Sequence, residues 1–256
     1  MADFLQLEGK HILVTGGTSG IGRQTAISLS EQGARVSIID RSVEKFEETL
    51  AMLHGEGHTV HEMDLSDIDA IEEGIKGIAA ACGPFDGYVQ SAGINKDLPL
   101  MNFKYEKIHR IMQVNFYSFF EIVRVLSRKG RYNEGMSIVG VSSTASLCGV
   151  PTQTAYSASK AAMNGAMRAM AVELAPKGIR LNTVLPGPTE TEMYQEYLAL
   201  RKDTKEAAQV EITKPRNYLG MNKPYDVANA IMFLLSPASR HITGVTLPVD
   251  SGYTSC

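Results

Sequence analysis

The chain has 256 residues, of which 44% are hydrophobic and 21% charged, and its formal net charge is −3. A chain this long buries about 70–75% of its unfolded surface and needs no staples. The charge balance excludes a disordered chain and a broad nucleic-acid surface, which needs clustered Lys and Arg to meet phosphate. Cys82, Cys148 and Cys256 form no CxxC pair and no metal-ligand spacing, so they read as free thiols in a reducing cytosol. Residues 1–8 lack the basic and long apolar regions of a signal peptide, and no uninterrupted run of about 18 apolar residues suggests a membrane span. The expectation is a cytoplasmic protein without metal, nucleic acid or membrane among its partners.

In chain order, residues 11–15 form a short β-branched run that predicts a first strand, followed at once by glycines and a helix over 21–32. Residues 35–40 read as the second strand, 43–54 as a helix and 59–63 as a weaker strand. A helix over 68–82 then stops at Gly83-Pro84. Strands at 86–90 and 136–141 flank a long helix, 104–126, and a helix over 156–174 follows. A strand at 179–185, a helix at 226–235 and a strand at 245–249 complete the series. Apolar strands separated by helices mean a parallel sheet with right-handed crossovers. The predicted fold class is therefore α/β: one doubly wound Rossmann domain over residues 1–256, with about seven strands flanked by helices. The irregular stretch 186–224 has a polar, helix-like middle at 193–210, and about 188–222 reads as a substrate lid.

Thr15-Gly16-Gly17-Thr18-Ser19-Gly20-Ile21-Gly22 closes the first strand and opens the first helix. The spacing is GxxxGxG. Gly16 suits a tight turn, Gly20 an approaching pyrophosphate and Gly22 close helix packing, with Thr18, Ser19 and Ile21 completing the cradle. An anion there meets unpaired N–H groups and the positive end of the helix. Asp40 ends the second strand, where a carboxylate can hydrogen-bond both ribose hydroxyls of an adenosine and repel a 2′-phosphate. NAD(H) is thus favoured over NADP(H), although Arg41 could stack on adenine or pair with a phosphate. Asp64 and Leu65 suit the adenine edge and a helix N-cap equally well.

Tyr156 and Lys160 stand at i and i+4 on one helical face. A free phenol, with a pKa of about 10, is a poor base, and a neighbouring ammonium should lower that value. Tyr156 is therefore the candidate general acid/base. Ser143, thirteen residues upstream, could bring its hydroxyl toward the phenol. Asn115 in the long helix could hold a water that links Lys160 to solvent, though a lone residue there is more often exposed.

Together these residues resemble the short-chain dehydrogenase/reductase family of the simple, single-domain type, from Lys10 to Gly252. Residues 15–22 match its glycine motif, and Asn115, Ser143, Tyr156 and Lys160 match its catalytic tetrad. The resemblance implies that Lys160 hydrogen-bonds the nicotinamide ribose. It implies that Pro186, Gly187, Thr189 and Thr191 line the nicotinamide, and that Ser91, Ala92 and Gly93 border the cofactor ribose. One departure stands out. The family usually has Asn-Asn-Ala-Gly where this chain has Gln90-Ser91-Ala92-Gly93, so a brace of the central strands is expected to be weakened, Ser91 replacing only part of it.

The implied activity is an NAD(P)(H)-dependent interconversion of a ketone and a secondary alcohol, similar to 3-oxoacyl-(acyl-carrier-protein) reductases, with a sugar, polyol or hydroxysteroid as alternative substrates. The small-molecule substrate would lie over Tyr156, between residues 94–101, 147–153 and 188–218. Leu147, Val150, Met193, Tyr194 and Tyr197 suggest a partly apolar pocket, although core or lid packing explains each as well. A catalytically silent NAD-binding subunit is the reading from another class, but such relatives usually lose the Tyr or the Lys. An RNA-binding role has no basic or aromatic stripe behind it. Apolar residues on more than one helix face (Ile111, Phe116, Phe119, Phe120, Met163, Met167 and Met170) predict a homo-oligomer, and the resemblance suggests a tetramer over a dimer.

Overall fold

The computed structural model describes residues 4–199 and 217–255. Its seven strands are β1 (His11–Thr15), β2 (Arg35–Asp40), β3 (Thr59–Glu62), β4 (Phe85–Gln90), β5 (Tyr132–Val141), β6 (Arg180–Pro186) and β7 (Thr246–Val249). They pair in parallel as one sheet in the order β3-β2-β1-β4-β5-β6-β7. Successive side chains point to opposite faces, so Leu13 enters one apolar layer while Ile12 and Val14 enter the other. The first layer packs under α3 (Ile68–Cys82), α5 (Ser118–Leu126) and α6 (Thr154–Leu174). The second packs under α1 (Gly20–Glu31) and α8 (Pro224–Leu235). Covering both faces explains the apolar runs of the sequence, each buried Leu or Ile contributing roughly 1.5–3 kcal/mol.

Local signals set the helix ends. Asp67 caps α3 by accepting from the Ala70 amide at 3.3 Å, and Ile71, Ile75 and Ile78 form its buried stripe. Pro224 opens α8, and Asp226 accepts from the Lys223 amide at 2.8 Å. At its other end the Arg180 guanidinium, rooted in β6, donates to the carbonyls of Leu234, Leu235 and Ser236 at 3.0, 3.4 and 3.2 Å. A cation at a helix C-terminus also meets the negative end of the dipole.

The long helix predicted for 104–126 is interrupted. It consists of α4 (Tyr105–Met112), a π turn (Gln113–Tyr117) and α5. The wider turn carries Asn115 inward to full burial, where its carboxamide bonds the backbone of Ile94 and the hydroxyl of Ser159. The helix expected over 43–54 shrinks to a 3-10 turn (Val43–Lys45) and α2 (Phe46–Ala51). Helix α7 (Glu192–Ala199) begins where the helical middle of the lid was expected, and the rest of that expectation, 200–210, lies outside the described residues. Of the residues read as facing a second subunit, Ile111, Phe119, Met163 and Met167 are buried within this chain, and Phe116 and Met170 pack against the same layer. Phe120 stays exposed, as do Tyr105, Ile108 and Tyr117, because the chain's own helices cover only the sheet-facing stripe. No helix among the described residues is long and apolar enough to cross a membrane.

At the opposite edge from the site, His11 is buried between Pro84 O, 3.2 Å from Nδ1, and Ser37 Oγ, 2.8 Å from Nε2. Ser37 contacts Thr59 Oγ1 at 2.9 Å, and His61 Nε2 lies 2.9 Å from the same oxygen. Burial first, then the Arg35 charge, lowers the His11 pKa below 6.5, and burial lowers that of His61. The folded state therefore prefers both rings neutral, a contribution that is present above pH 6.5 and lost as pH falls below it. Melting temperature should drop between pH 7 and pH 5, and His11→Gln should make that drop shallower in a pH series of thermal melts.

Candidate active site at the carboxyl edge of the sheet

Strand order reverses between β1 and β4, opening a crevice at their carboxyl ends. The turn after β1 is closed to side chains. A Cβ on Gly16, whose φ is +66°, would lie 2.7 Å from Ala92 Cα, and one on Gly22 would lie 2.1 Å from Gly16 O. Ser19, the N-cap of α1, makes no side-chain cap bond, so it leaves the first-turn amides of Ile21 and Gly22 without the usual partner. Such a cradle fits the pyrophosphate of a dinucleotide.

Asp40 sits beside this turn and is heavily engaged. Its Oδ2 accepts from the Thr18 hydroxyl at 2.7 Å and the Thr18 amide at 3.2 Å. Its Oδ1 accepts from the amides of Arg41 at 2.8 Å and Ser42 at 3.2 Å. Those bonds use about the four lone-pair sites a carboxylate has. What Asp40 offers a ribose is charge rather than spare acceptors. Arg41 is exposed. Asp64 accepts from the Ser66 amide and hydroxyl at 2.9 and 2.8 Å and pairs with Arg110 at 3.1 Å, which holds its pKa down at about 2. Leu65 packs into the core, and the helix cap in this segment is Asp67.

The candidate acid/base group is assembled from three elements. Tyr156 lies in the first turn of α6, half-buried, with the Lys160 ammonium 5.7 Å from its ring centroid. Lys160 is 3% exposed and donates to Val141 O at 2.7 Å, at the end of β5. Burial lowers its pKa to about 8. Burial also raises the phenol of Tyr156, while a hydrogen bond with Ser143 pulls it down and the Asp97 charge pushes it up. The lowering by Lys160 expected from the i, i+4 spacing does not dominate, since the ammonium is turned to a carbonyl and desolvation prevails. Asn115 accepts from the Ile94 amide at 2.8 Å and donates to Ile94 O and to Ser159 Oγ, both at 2.9 Å. A Cβ on Gly93 would lie 3.3 Å from Lys160 Nζ and 3.5 Å from Asn115 Oδ1, so these groups meet around one glycine. Ser91 Oγ borders Gly22.

The segment after β6 forms the facing wall. Pro186 is buried, Gly187 donates to Val249 O at 3.0 Å, and Thr189 Oγ1 donates to Gly187 O at 2.9 Å. Thr191 Oγ1 accepts from the Tyr194 amide at 3.2 Å, capping α7. Leu147 and Met193 are exposed and Val150 and Tyr194 half-buried, whereas the Tyr197 side chain lies outside the description.

A protein-family model described as enoyl-(acyl carrier protein) reductase matches residues 16–254. The chain belongs to the short-chain dehydrogenase/reductase family. A 3-oxoacyl-(acyl-carrier-protein) reductase of Thermotoga maritima is 34% identical over 97% of this chain and 99% of its own length. An L-rhamnose 1-dehydrogenase (NAD(P)(+)) of Sphingomonas is 32% identical over 96% of each. A solved short-chain dehydrogenase of Burkholderia cenocepacia in complex with NADP superposes with a TM-score of 0.85 at 29% identity, covering 97% of this chain and 99% of that one. The protein is an NAD(P)-dependent short-chain dehydrogenase/reductase that interconverts carbonyl and CH–OH groups.

Within this short-chain dehydrogenase/reductase the brace expected to be weakened is supplied by Gln90, which the sequence reading did not single out. Gln90 is fully buried; its Oε1 accepts from Thr15 Oγ1 at 3.1 Å and from the Tyr88 hydroxyl. Its Nε2 donates to Ala92 O at 3.0 Å, Ser118 Oγ at 3.3 Å and Val114 O at 3.5 Å. The longer amide thus ties β1 and β4 to the π turn that carries Asn115. The available signal was an amide closing the stretch 87–89, which is buried throughout. Gln90→Leu, similar in size but without these bonds, should cost about 2–4 kcal/mol in denaturant unfolding.

Proposed function

We propose that Tyr156 is the proton donor and acceptor of this interconversion, assisted by Ser143, Lys160 and Asn115. The cofactor would lie along residues 16–22, Asp40, 91–93 and 186–191. The observation that carries the reading is the buried Lys160 ammonium beside the Tyr156 ring. When bound, a reduced nicotinamide supplies the hydride that makes the new C–H bond. The chain's own residues manage the proton: the Tyr156 O–H breaks as the substrate O–H forms, leaving a phenolate to be reprotonated. Ser143 can donate to the same substrate oxygen. Lys160 spends one of its three donors on Val141 O and keeps two for a ribose hydroxyl and the phenolate. Asn115 Oδ1 retains a lone pair beyond its bond from Ile94 for a water behind Lys160.

For the substrate we favour a 3-oxoacyl thioester, supported by the 3-oxoacyl-(acyl-carrier-protein) reductases among the relatives. A sugar or polyol is the second reading, supported by the rhamnose dehydrogenase at similar identity. For the cofactor we favour NAD(H), supported by the Asp40 carboxylate beside the turn, although structural neighbours are complexes with NADPH and NADP.

Initial rates on a panel of 3-oxoacyl thioesters and sugar ketones test the whole. Tyr156→Phe should lower turnover about 10³-fold while NAD(P)H fluorescence titration shows near-normal binding; retained turnover removes Tyr156 as the acid. Because the ammonium of Lys160 is charged below a pKa of about 8 and neutral above it, kcat/KM for reduction should decline as pH rises through that value. Asp40→Ala should shift the ratio of kcat/KM for NADH over NADPH toward NADPH by about tenfold, or ~1.4 kcal/mol. An unchanged ratio ends its discriminating role.

A further inference from the structure

The start of α7 is tied to the start of α1 by a single side chain. Glu192 Oε2 accepts from the Gly20 amide at 3.1 Å, and its Oε1 pairs with Arg23 Nη2 at 2.9 Å. Arg23 in turn lies 3.7 Å from Glu48 of α2, so the guanidinium balances two carboxylates. Beside this tie, a Cβ on Gly20 would come within 3.3 Å of Thr191 Cγ2, so the two segments touch there through small groups. Otherwise an open cavity of about 310 Å³, bordered by Arg23, Gln24, Ile27, Glu192 and Gln195, separates the helices. On the α1 side, charge and one hydrogen bond rather than dry apolar packing hold this wall, while its other side bridges to Asn222, which accepts from the Glu190 amide at 2.9 Å and donates its own amide to Pro188 O at 3.2 Å.

From this geometry we propose that Glu192 is a positioning residue: a strap that holds the Thr189–Thr191 wall over the dinucleotide and sets how fast the cofactor leaves. The inference rests on the cofactor placement proposed above. Glu192 takes the first amide of α1, Gly20, and leaves those of Ile21 and Gly22 for the pyrophosphate, so strap and cofactor occupy one helix end side by side. The Arg23 charge offsets the repulsion between the two anions. The Glu192 side chain is 49% exposed, so water and salt compete for it, and the strap is weak enough to open with each exchange.

Stopped-flow displacement of NADH and of NADPH from the full chain tests this. Glu192→Gln, nearly isosteric but uncharged, should speed dissociation about fivefold with little change in melting temperature. Arg23→Gln should do the same, and the double variant should be no faster than either single one. Raising ionic strength should narrow the gap between wild type and variant, a response that a purely structural role would not produce. Unchanged dissociation in both variants overturns the strap. Slower dissociation also overturns it, because the carboxylate would then be a competitor of the pyrophosphate. Failure of the wild-type chain to bind either dinucleotide overturns the cofactor placement together with the strap.

Discussion

An ammonium withdrawn from water must find acceptors or yield its proton, and Lys160 does part of each. Its Nζ reaches Val141 O at 2.7 Å, and its pKa falls to about 8. Much of the architecture around the crevice answers to that placement. Val141 O is available because β5 ends there; α6 presents Lys160 one turn beyond Tyr156; and Gly93 lacks the Cβ that would crowd the ammonium. A poorly packed version of the same site would admit water, return Lys160 to its ordinary basicity and loosen the hold on the phenol.

The crevice is assembled from strand ends rather than from any one motif. Thr15, Asp40, Gln90, Val141 and Pro186 each terminate a strand, and each contributes to the floor or wall through the turn that follows. The parallel sheet, buried on both faces, makes those ends converge, and the reversal of strand order parts them enough for a ligand. Rigidity is built in with buried amides. Gln90 spans two strands and the π turn, and Asn115 spans the π turn, the loop after β4 and α6.

Much of this was legible in the sequence. Strands with β-branched runs, such as β1 and β2, and the capped amphipathic helix α3 stood at their expected bounds because local pattern and tertiary burial agree there. The i, i+4 spacing of Tyr156 and Lys160 also showed in the sequence, and α6 sets the ammonium 5.7 Å from the ring centroid. The misreadings share a cause: contacts distant in sequence. The π turn exists because Asn115 bonds Ile94 and Ser159, 21 and 44 residues away, which no helical periodicity contains. The behaviour of Asp40 depends on Thr18, 22 residues earlier, and the behaviour of Gln90 on Thr15 and Ser118. The sign of the Tyr156 shift depends on desolvation, which spacing alone cannot weigh.

The wide turn at Gln113–Tyr117 also constrains how this chain can vary. One residue more or fewer in a helix rotates all that follows by about 100° about its axis. Phe119, Ile122 and Leu126 meet the core, and Phe120 meets solvent, only in the present phase. Removing a single residue here would either turn α5 by that angle and move its apolar stripe off the core, or close the wide turn into regular helix and withdraw Asn115 from Ile94 and Ser159. For this stretch, residue count is under stricter control than residue identity.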